Sequence, residues 1–400
     1  MISFELSERQ KQMQELAHWF AEHEIRPIAM EAERLKQVPG DWLEKVNKMG
    51  IHLNPSSFAG GGGKSGDTKK ENEANRMGVI AMEELAWGDA AVTLSLPGPG
   101  LGGPPIQTSG TDEQKERFLS IFTADEPRWG AYALTEPEAG SDASAIRTTA
   151  RKTEGGYILN GQKIFITNGA RASWVVVFAT VDPGLGRLGQ RAFVVEKGTK
   201  GFSAPKIVEK MGLRANETAE LLFEDCFVPE ENLLGGEALY ERKAAKTAGF
   251  QVAMKTFDST RPIVAAMAVG IARAAFEYTL DLVKREFPKQ GKFYRLAAEL
   301  LAEAEQDIAA ARLLTWEAAW KADLGMENAK EAAMCKAFAG KMALAVCAKC
   351  LELLGPAGLQ DHPVEKWYRD VKVFDIFEGT NEIQHLVIAR RQYAPYRIRV

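Results

Sequence analysis

Asn160-Gly161-Gln162-Lys163-Ile164-Phe165-Ile166-Thr167-Asn168-Gly169 reads as a strand bounded by two turns. Asn-Gly pairs are strong turn signals, and the run between them is rich in β-branched and aromatic residues. Side chains alternate along a strand, so Phe165 and Thr167 are expected on one face. Working outward, residues 157–159, 174–179, 191–195 and 219–223 are further short β-type runs, punctuated by Gly, Asn and Asp. Short strands at this spacing predict a small barrel or sandwich. Val228-Pro229 and Gly235-Gly236 close the region.

The period changes on either side. Residues 1–128 read as helical. Ser7 with Gln10, and Thr111 with Gln114, have capping-box spacing. Met13, Leu16, Ala17 and Phe20 recur at helical intervals, and residues 77–87 form a second amphipathic stretch. The Gly-rich, charged segment 59–76 predicts an exposed loop. After residue 251, the stretches 263–285, 296–324, 329–354 and 381–393 are long and rich in Ala, Leu, Lys and Glu. Their wide apolar stripes predict helices that bury against one another. The expected architecture is α+β and multidomain: an N-terminal helical domain (1–128), a central β-barrel or sandwich domain (129–236) and a C-terminal four-helix bundle (237–400).

Composition narrows the function. The 400 residues are 46% hydrophobic and 26% charged with a net charge of −4; no global basic field points to nucleic acid or to an anionic membrane. Cys226, Cys335, Cys347 and Cys350 are too sparse for a disulfide framework, which favours a reducing compartment. Residues 1–14 lack the apolar core of a signal peptide, and no run approaches the roughly 20 apolar residues of a membrane span. The expectation is a cytoplasmic protein, or one of the mitochondrial matrix if a targeting peptide has been removed.

Some apparent motifs are decoys. Residues 98–103 match G-x-G-x-x-G, but no strand precedes them, Pro99 interrupts them and Pro104-Pro105 follow. A loop shaping a pocket wall is the better reading than a dinucleotide turn. Gly62-Gly63-Lys64-Ser65 resembles a phosphate loop whose first glycine is replaced by Phe58. Cys347 and Cys350 sit in a helical pattern without a second Cys pair or a His cluster, and read as a buried face. No metal site is expected.

Three segments combine Gly, small polar residues and a carboxylate at element boundaries. They are residues 132–142 (Y-A-L-T-E-P-E-A-G-S-D), the strand 160–169 and residues 377–384 (F-E-G-T-N-E-I-Q). In the last, Glu378 precedes Gly379, and Thr380 opens a helix. These segments, in this order and with this approximate spacing, resemble the acyl-CoA dehydrogenase family. Residues 223–234, 257–262, 337–340 and 363–370 extend the match over nearly the whole chain.

The resemblance implies FAD as cofactor. It implies that Tyr132, Leu134, Thr135, Gly140 and Ser141 line the flavin and pyrophosphate. Phe165 would pack on the isoalloxazine where the family often has tryptophan, and Thr167 would bond the ring edge. Thr380 and Glu382 would reach the phosphates and ribityl chain. Ser141, Asp258, Arg261 and Gly379 would hold the acyl-CoA, and Glu378 would be the base that removes the substrate α-proton. The β-hydride would pass to flavin N5, giving a trans-2-enoyl-CoA, and an electron-transfer flavoprotein would take the electrons. In this family a homotetramer is expected, with the adenosine end of FAD bound across a subunit interface.

Two stretches depart from the family. The usual R-x-x-F-G reads Arg285-Glu286-Phe287-Pro288 here, and Q-x-x-G-G-x-G reads Glu352-Leu353-Leu354-Gly355-Pro356-Ala357-Gly358. Glu for Gln exchanges a neutral group for an anion, and Pro356 removes an N–H donor. Arg285, Glu352 and Gly355 remain the residues that the resemblance assigns to the adenosine end. The departures keep open a flavin-poor, non-catalytic subunit of a mixed tetramer. A related acyl-CoA flavoenzyme, an oxidase or a desulfinase, is the other alternative. Residues 237–249 look about ten residues longer than usual.

Overall fold

A computed structural model describes residues 2–53, 72–241, 247–287, 289 and 291–393. The N-terminal part is helical: α1 (Glu8–Phe20), α2 (Ala29–Leu35), α3 (Gly40–Lys48), α4 (Ala74–Leu94), α5 (Gly103–Ser109) and α6 (Asp112–Leu119). Both expected capping boxes form, Ser7 with Gln10 and Thr111 with Gln114. Most of the 59–76 segment, including Gly62-Gly63-Lys64-Ser65, lies outside the described residues. Its end corrects the loop reading: residues 74–76 already belong to α4, and Arg76 is buried. The helix starts there because Asp323, far along the chain, accepts the Asn75 and Arg76 N–H groups at 2.8 and 3.0 Å. Residues 98–103 form no strand–turn–helix unit. Gly98 bridges Trp129, and a 3₁₀ turn at Gly100–Gly102 runs into α5.

The central part is one curled mixed sheet. Its strands are β1 (Gly130–Ala133), β2 (Thr149–Thr153), β3 (Gly156–Thr167), β4 (Trp174–Thr180), β5 (Gln190–Glu196), β6 (Phe202–Ile207) and β7 (Thr218–Pro229), in the order β1-β4-β2-β3-β7-β6, with β5 antiparallel on β4. β4 is buried along its whole length, as its unbroken apolar run demands. Val175 and Val177 enter one cluster with Phe193 and Phe223, and Trp174, Val176 and Phe178 enter another on the opposite face with Phe118.

The opening stretch needs two corrections. Asn160-Gly161 is not a turn; it lies inside β3, so the runs 157–159 and 163–167 are one strand. Opposite it, β7 carries an extra residue, with Asp225 at φ 48°. The Asn160 side chain clamps that bulge, accepting the Asp225 N–H at 2.8 Å and donating to its carboxylate at 3.1 Å. Gly161 has φ 149°, and a Cβ there would press on Thr148 at 2.6–2.8 Å. A second bulge, with Phe165 at φ 58°, interrupts the alternation assumed for Phe165 and Thr167. Asn168-Gly169 does turn, with the Gly169 N–H on the Ile166 carbonyl.

The C-terminal part holds α7 (Glu237–Glu241), α8 (Ala248–Glu286), α9 (Lys292–Asp323), α10 (Ala329–Leu354), α11 (Pro363–Val371) and α12 (Asn381–Tyr393). α8 begins well before the expected 263 and passes through Pro262. The Thr256 and Thr260 hydroxyls bond back to the carbonyls of Val252 and Thr256 in this stretch. By length and composition, Ala248–Glu286 and Ala329–Leu359 do reach membrane-span hydropathy, contrary to the sequence reading. The apolar window of α8 is 78% buried inside the molecule, which makes it a core helix of the bundle. Cys335, Cys347 and Cys350 are buried on α10.

A buried ionic knot ties the three parts together. Lys366 on α11 reaches both Asp89, at the kink of α4, and Asp370, while Asp370 Oδ1 accepts the Leu213 N–H at 2.6 Å from the loop between β6 and β7.

Candidate active site

Phe377-Glu378-Gly379-Thr380 crosses from the end of α11 to α12 between α8 and α10. Glu378 has φ 53° and Gly379 φ 92°. The left-handed region costs a non-glycine residue about 1 kcal/mol or more, so the surroundings must hold it. They do so through carbonyl oxygens. Arg261 Nε and Gln384 Nε2 donate to the Glu378 carbonyl at 3.4 and 3.1 Å. Gln384 Nε2 and Lys336 Nζ donate to the Gly379 carbonyl at 2.9 and 2.8 Å. Thr380 Oγ1 accepts the Ile383 N–H, starting α12. No backbone acceptor among the described residues takes the Glu378 N–H.

The Glu378 side chain is half-buried and accepts the Thr260 hydroxyl at 2.7 Å. Burial pushes its carboxyl from 4.5 up to about 7, while Thr260, Arg261 and Lys336 pull the other way. Arg261 is buried and paired with Asp258 at 2.9 Å. Tyr132 approaches from β1, its ring wedged against Phe178 and Phe257. Its hydroxyl is buried without a partner among the described residues, and burial together with the Glu378 charge raises its pKa well above the usual value.

Of the residues expected at the flavin ring, Tyr132 lies on β1, Phe165 and Thr167 on β3, and Leu134, Thr135, Gly140 and Ser141 on the segment that follows β1. Ile164 N–H donates to the Thr135 carbonyl at 2.9 Å, a bond available because the Phe165 bulge turns Ile164 away from β7. Fully buried Lys163 donates to the Leu134 carbonyl at 2.9 Å and to Glu136 at 2.7 Å. Glu136 also accepts the Arg147 and Thr148 N–H groups. Burial opposes the Glu136 charge, but Lys163 and these donors outweigh it and hold the carboxyl below its usual range. Leu134 is buried, Thr135 and Thr167 are half-buried, Gly140 and Ser141 are exposed, and Phe165 stands 59% exposed. Among the described residues, nothing lies within 4 Å of where a Gly140 Cβ would be. Glu382 is exposed in the first turn of α12.

Arg285, Glu352 and Gly355 are not brought to this place. Arg285 is exposed and paired with Asp281, and Glu352 and Gly355 are exposed at the end of α10. At 1.5 Å per residue, Arg285 lies roughly 36 Å along α8 from Arg261, and Glu352 roughly 24 Å along α10 from Lys336. Sequence reasoning missed Thr260, Lys336, Gln384, Glu136 and Lys163 as individual residues. Four of them stand inside motifs already singled out, and Lys336 stands directly before one. Among the described residues, no group of three His, Cys, Asp or Glu side chains is placed to hold a metal.

A helix–sheet–helix scaffold thus holds a half-buried glutamate in a left-handed turn near Tyr132 of β1. The chain belongs to the acyl-CoA dehydrogenase family: it matches the family's N-terminal domain over residues 7–126, its middle domain over 131–226 and its C-terminal domain over 247–393. It is 37% identical over 393 residues to "Acyl-CoA dehydrogenase, short-chain specific" of Clostridium acetobutylicum, covering 97% of this chain and 99% of that one. It is 39% identical over 396 residues to "Acryloyl-CoA reductase (NADH)" of Anaerotignum propionicum, covering 97% and 95%. The structure of butyryl-CoA dehydrogenase from Megasphaera elsdenii superposes with a TM-score of 0.85 at 34% identity, covering 98% of this chain and all of that one.

Family and fold imply FAD, and the residues present fit it. An aromatic ring exposed at the Phe165 bulge, the open place at Gly140 and the buried oxygens of Tyr132, Asn381 and Gln384, unpartnered among the described residues, suit a flat polar ring system and its polar tail.

Proposed function

We propose that this protein dehydrogenates an acyl-CoA thioester to the trans-2-enoyl-CoA, with Glu378 as the base that takes the α-proton. The observation that carries the reading is a carboxylate held in a strained left-handed turn, half-buried, with its carboxyl at about 7. A base is most effective when its pKa lies near the working pH. Substrate binding would exclude water and raise that value further, making the carboxylate more basic. The Glu378 N–H, without a backbone acceptor, would polarise the thioester carbonyl as charge develops there. Ser141, Asp258, Arg261 and Gly379 would hold the acyl-CoA. Tyr132, Leu134, Thr135, Gly140, Ser141, Phe165, Thr167, Thr380 and Glu382 would hold FAD, with Arg285, Glu352 and Gly355 at its adenosine end. Bound FAD supplies the hydride acceptor at N5.

Arg285 and Glu352 are exposed and far from Glu378, which supports a homotetramer in which a second protomer completes the cofactor site. An electron-transfer flavoprotein is the proposed electron acceptor. The relative named as an acryloyl-CoA reductase favours a second reading, the same chemistry run toward the saturated thioester, with protonated Glu378 as the acid.

Anaerobic titration with acyl-CoAs of graded length and branching tests the proposal through flavin bleaching. Bleaching by one length class is expected, with a rate that rises with pH as Glu378 ionises, at or above the value of about 7 that it has without substrate. The absence of bleaching by every acyl-CoA, with flavin bound, would remove the forward reading.

A further inference from the structure

α10 carries a buried lysine that the proposed mechanism does not use. Lys336 is 1% exposed, and its ammonium donates at 2.8 Å to the Gly379 carbonyl, directly after Glu378. Its place follows from packing one turn further on. Gly340, four residues later and on the same helix face, lets the chain before Glu378 lie against α10; a Cβ there would sit 2.8 Å from the Phe374 carbonyl and 3.2 Å from Asp375 Oδ1. With the strap seated on Gly340, the side chain at 336 is the one aimed at the Glu378-Gly379 turn.

Charge reinforces the geometry. Burial lowers the Lys336 ammonium to about 8, and the groups that hold its proton on are Glu378 first, then Asp375 and Glu382, with Arg261 opposing. Glu378 in turn faces Thr260 and Arg261 from α8, Lys336 from α10 and the Tyr132 phenol from β1. Asp258 occupies Arg261, so part of that guanidinium's field is already spent on another carboxylate. Lys336 donates to a carbonyl rather than to a carboxylate, and Glu378 stands before Asp375 and Glu382 among the anions that feel its charge.

We infer that Lys336 is a positioning residue for the proton transfer: it pins the strained Glu378-Gly379 turn through the Gly379 carbonyl and adds to that of Arg261 a positive charge that favours the ionised base. The inference rests on Glu378 being the base. A lysine that merely fills its site would leave the ionisation of Glu378 untouched when replaced by a residue of similar shape.

The test uses the purified holoprotein and two substitutions, Lys336→Met, which keeps the stem, and Lys336→Gln, which keeps a donor. The first readout is the infrared band of the protonated Glu378 carboxyl, assigned by its loss in Glu378→Gln and followed against pH. The second is the pH profile of flavin bleaching, with flavin content and circular dichroism reporting the fold. Removing the cation raises the Glu378 midpoint by about one pH unit. On the acid limb this slows bleaching about tenfold. Lys336→Gln shows the same shift with less loss on the alkaline plateau, because the carbonyl keeps its donor, and Lys336→Arg moves the midpoint back. A folded Lys336→Gln protein with an unchanged midpoint overturns the inference, even if Lys336→Met fails to fold. A midpoint that shifts while the bleaching profile does not follow it would instead discard Glu378 as the base and leave the charge coupling standing.

Discussion

Glu378→Gln is expected to bind acyl-CoA as the parent does and to lose flavin bleaching by a factor on the order of 10⁴, the upper range for removing a general base. Gln keeps the shape and can still take the Thr260 hydroxyl, so the turn and the binding surface survive. The same substitution is expected to stabilise the fold. The ordinary carboxyl value is 4.5 and the folded value about 7. Between these values the folded chain holds a proton that the unfolded chain has released, so this group's stabilising contribution falls as pH rises through the window and is gone above 7. At pH 8 the ionised Glu378 works against folding by up to about 3 kcal/mol. The neutral amide avoids that cost, and the variant should melt higher than the parent at pH 8 and differ less at pH 5. Stopped-flow absorbance and thermal unfolding at the two pH values check both halves.

Lys163→Met is expected to be among the most destabilising single changes, by about 3–5 kcal/mol, because it leaves a buried charge without its partner. Lys163 is 0% and Glu136 6% exposed in their side chains, and the pair joins β3 to the segment that follows β1. The Leu134 carbonyl would lose its donor as well, and this segment carries Thr135 and leads to Ser141. Flavin content should therefore fall together with stability. A double variant, Lys163→Met with Glu136→Gln, should recover part of the loss, since no buried charge is then unpaired. Urea unfolding with flavin quantitation distinguishes this from simple packing loss, in which the second substitution would add to the damage.

Local pattern made much of the architecture legible. Ser7 and Thr111 cap the helices they were expected to cap, and the stretches 329–354 and 381–393 are helices with those bounds. What failed was what depends on distant partners. Asn160-Gly161 has turn chemistry, yet Asp225, 65 residues away, turns it into a bulge clamp inside a strand. Residues 74–76 looked like loop until Asp323 capped them. The helix expected over 263–285 begins at Ala248 and runs through Pro262.

The site divides along the same line. Glu378 and the residues around Tyr132 stand in compact motifs with telling composition. Thr260, Lys336 and Gln384 act on Glu378 through contacts that no spacing encodes. Lys163 looked like an ordinary strand residue, because one strand position says nothing about a carboxylate 27 residues earlier. Arg285 and Glu352 could not be joined to a site within one chain, in keeping with their exposed places at the far ends of α8 and α10.

The most direct test is a crystal structure of the FAD-loaded protein with a saturated acyl-CoA analogue that cannot be dehydrogenated. The account predicts the Glu378 carboxylate about 3–3.5 Å from the carbon next to the thioester carbonyl, with the isoalloxazine on the other side of the acyl chain. A Glu378 side chain turned to solvent, with another group beside that carbon, would contradict it.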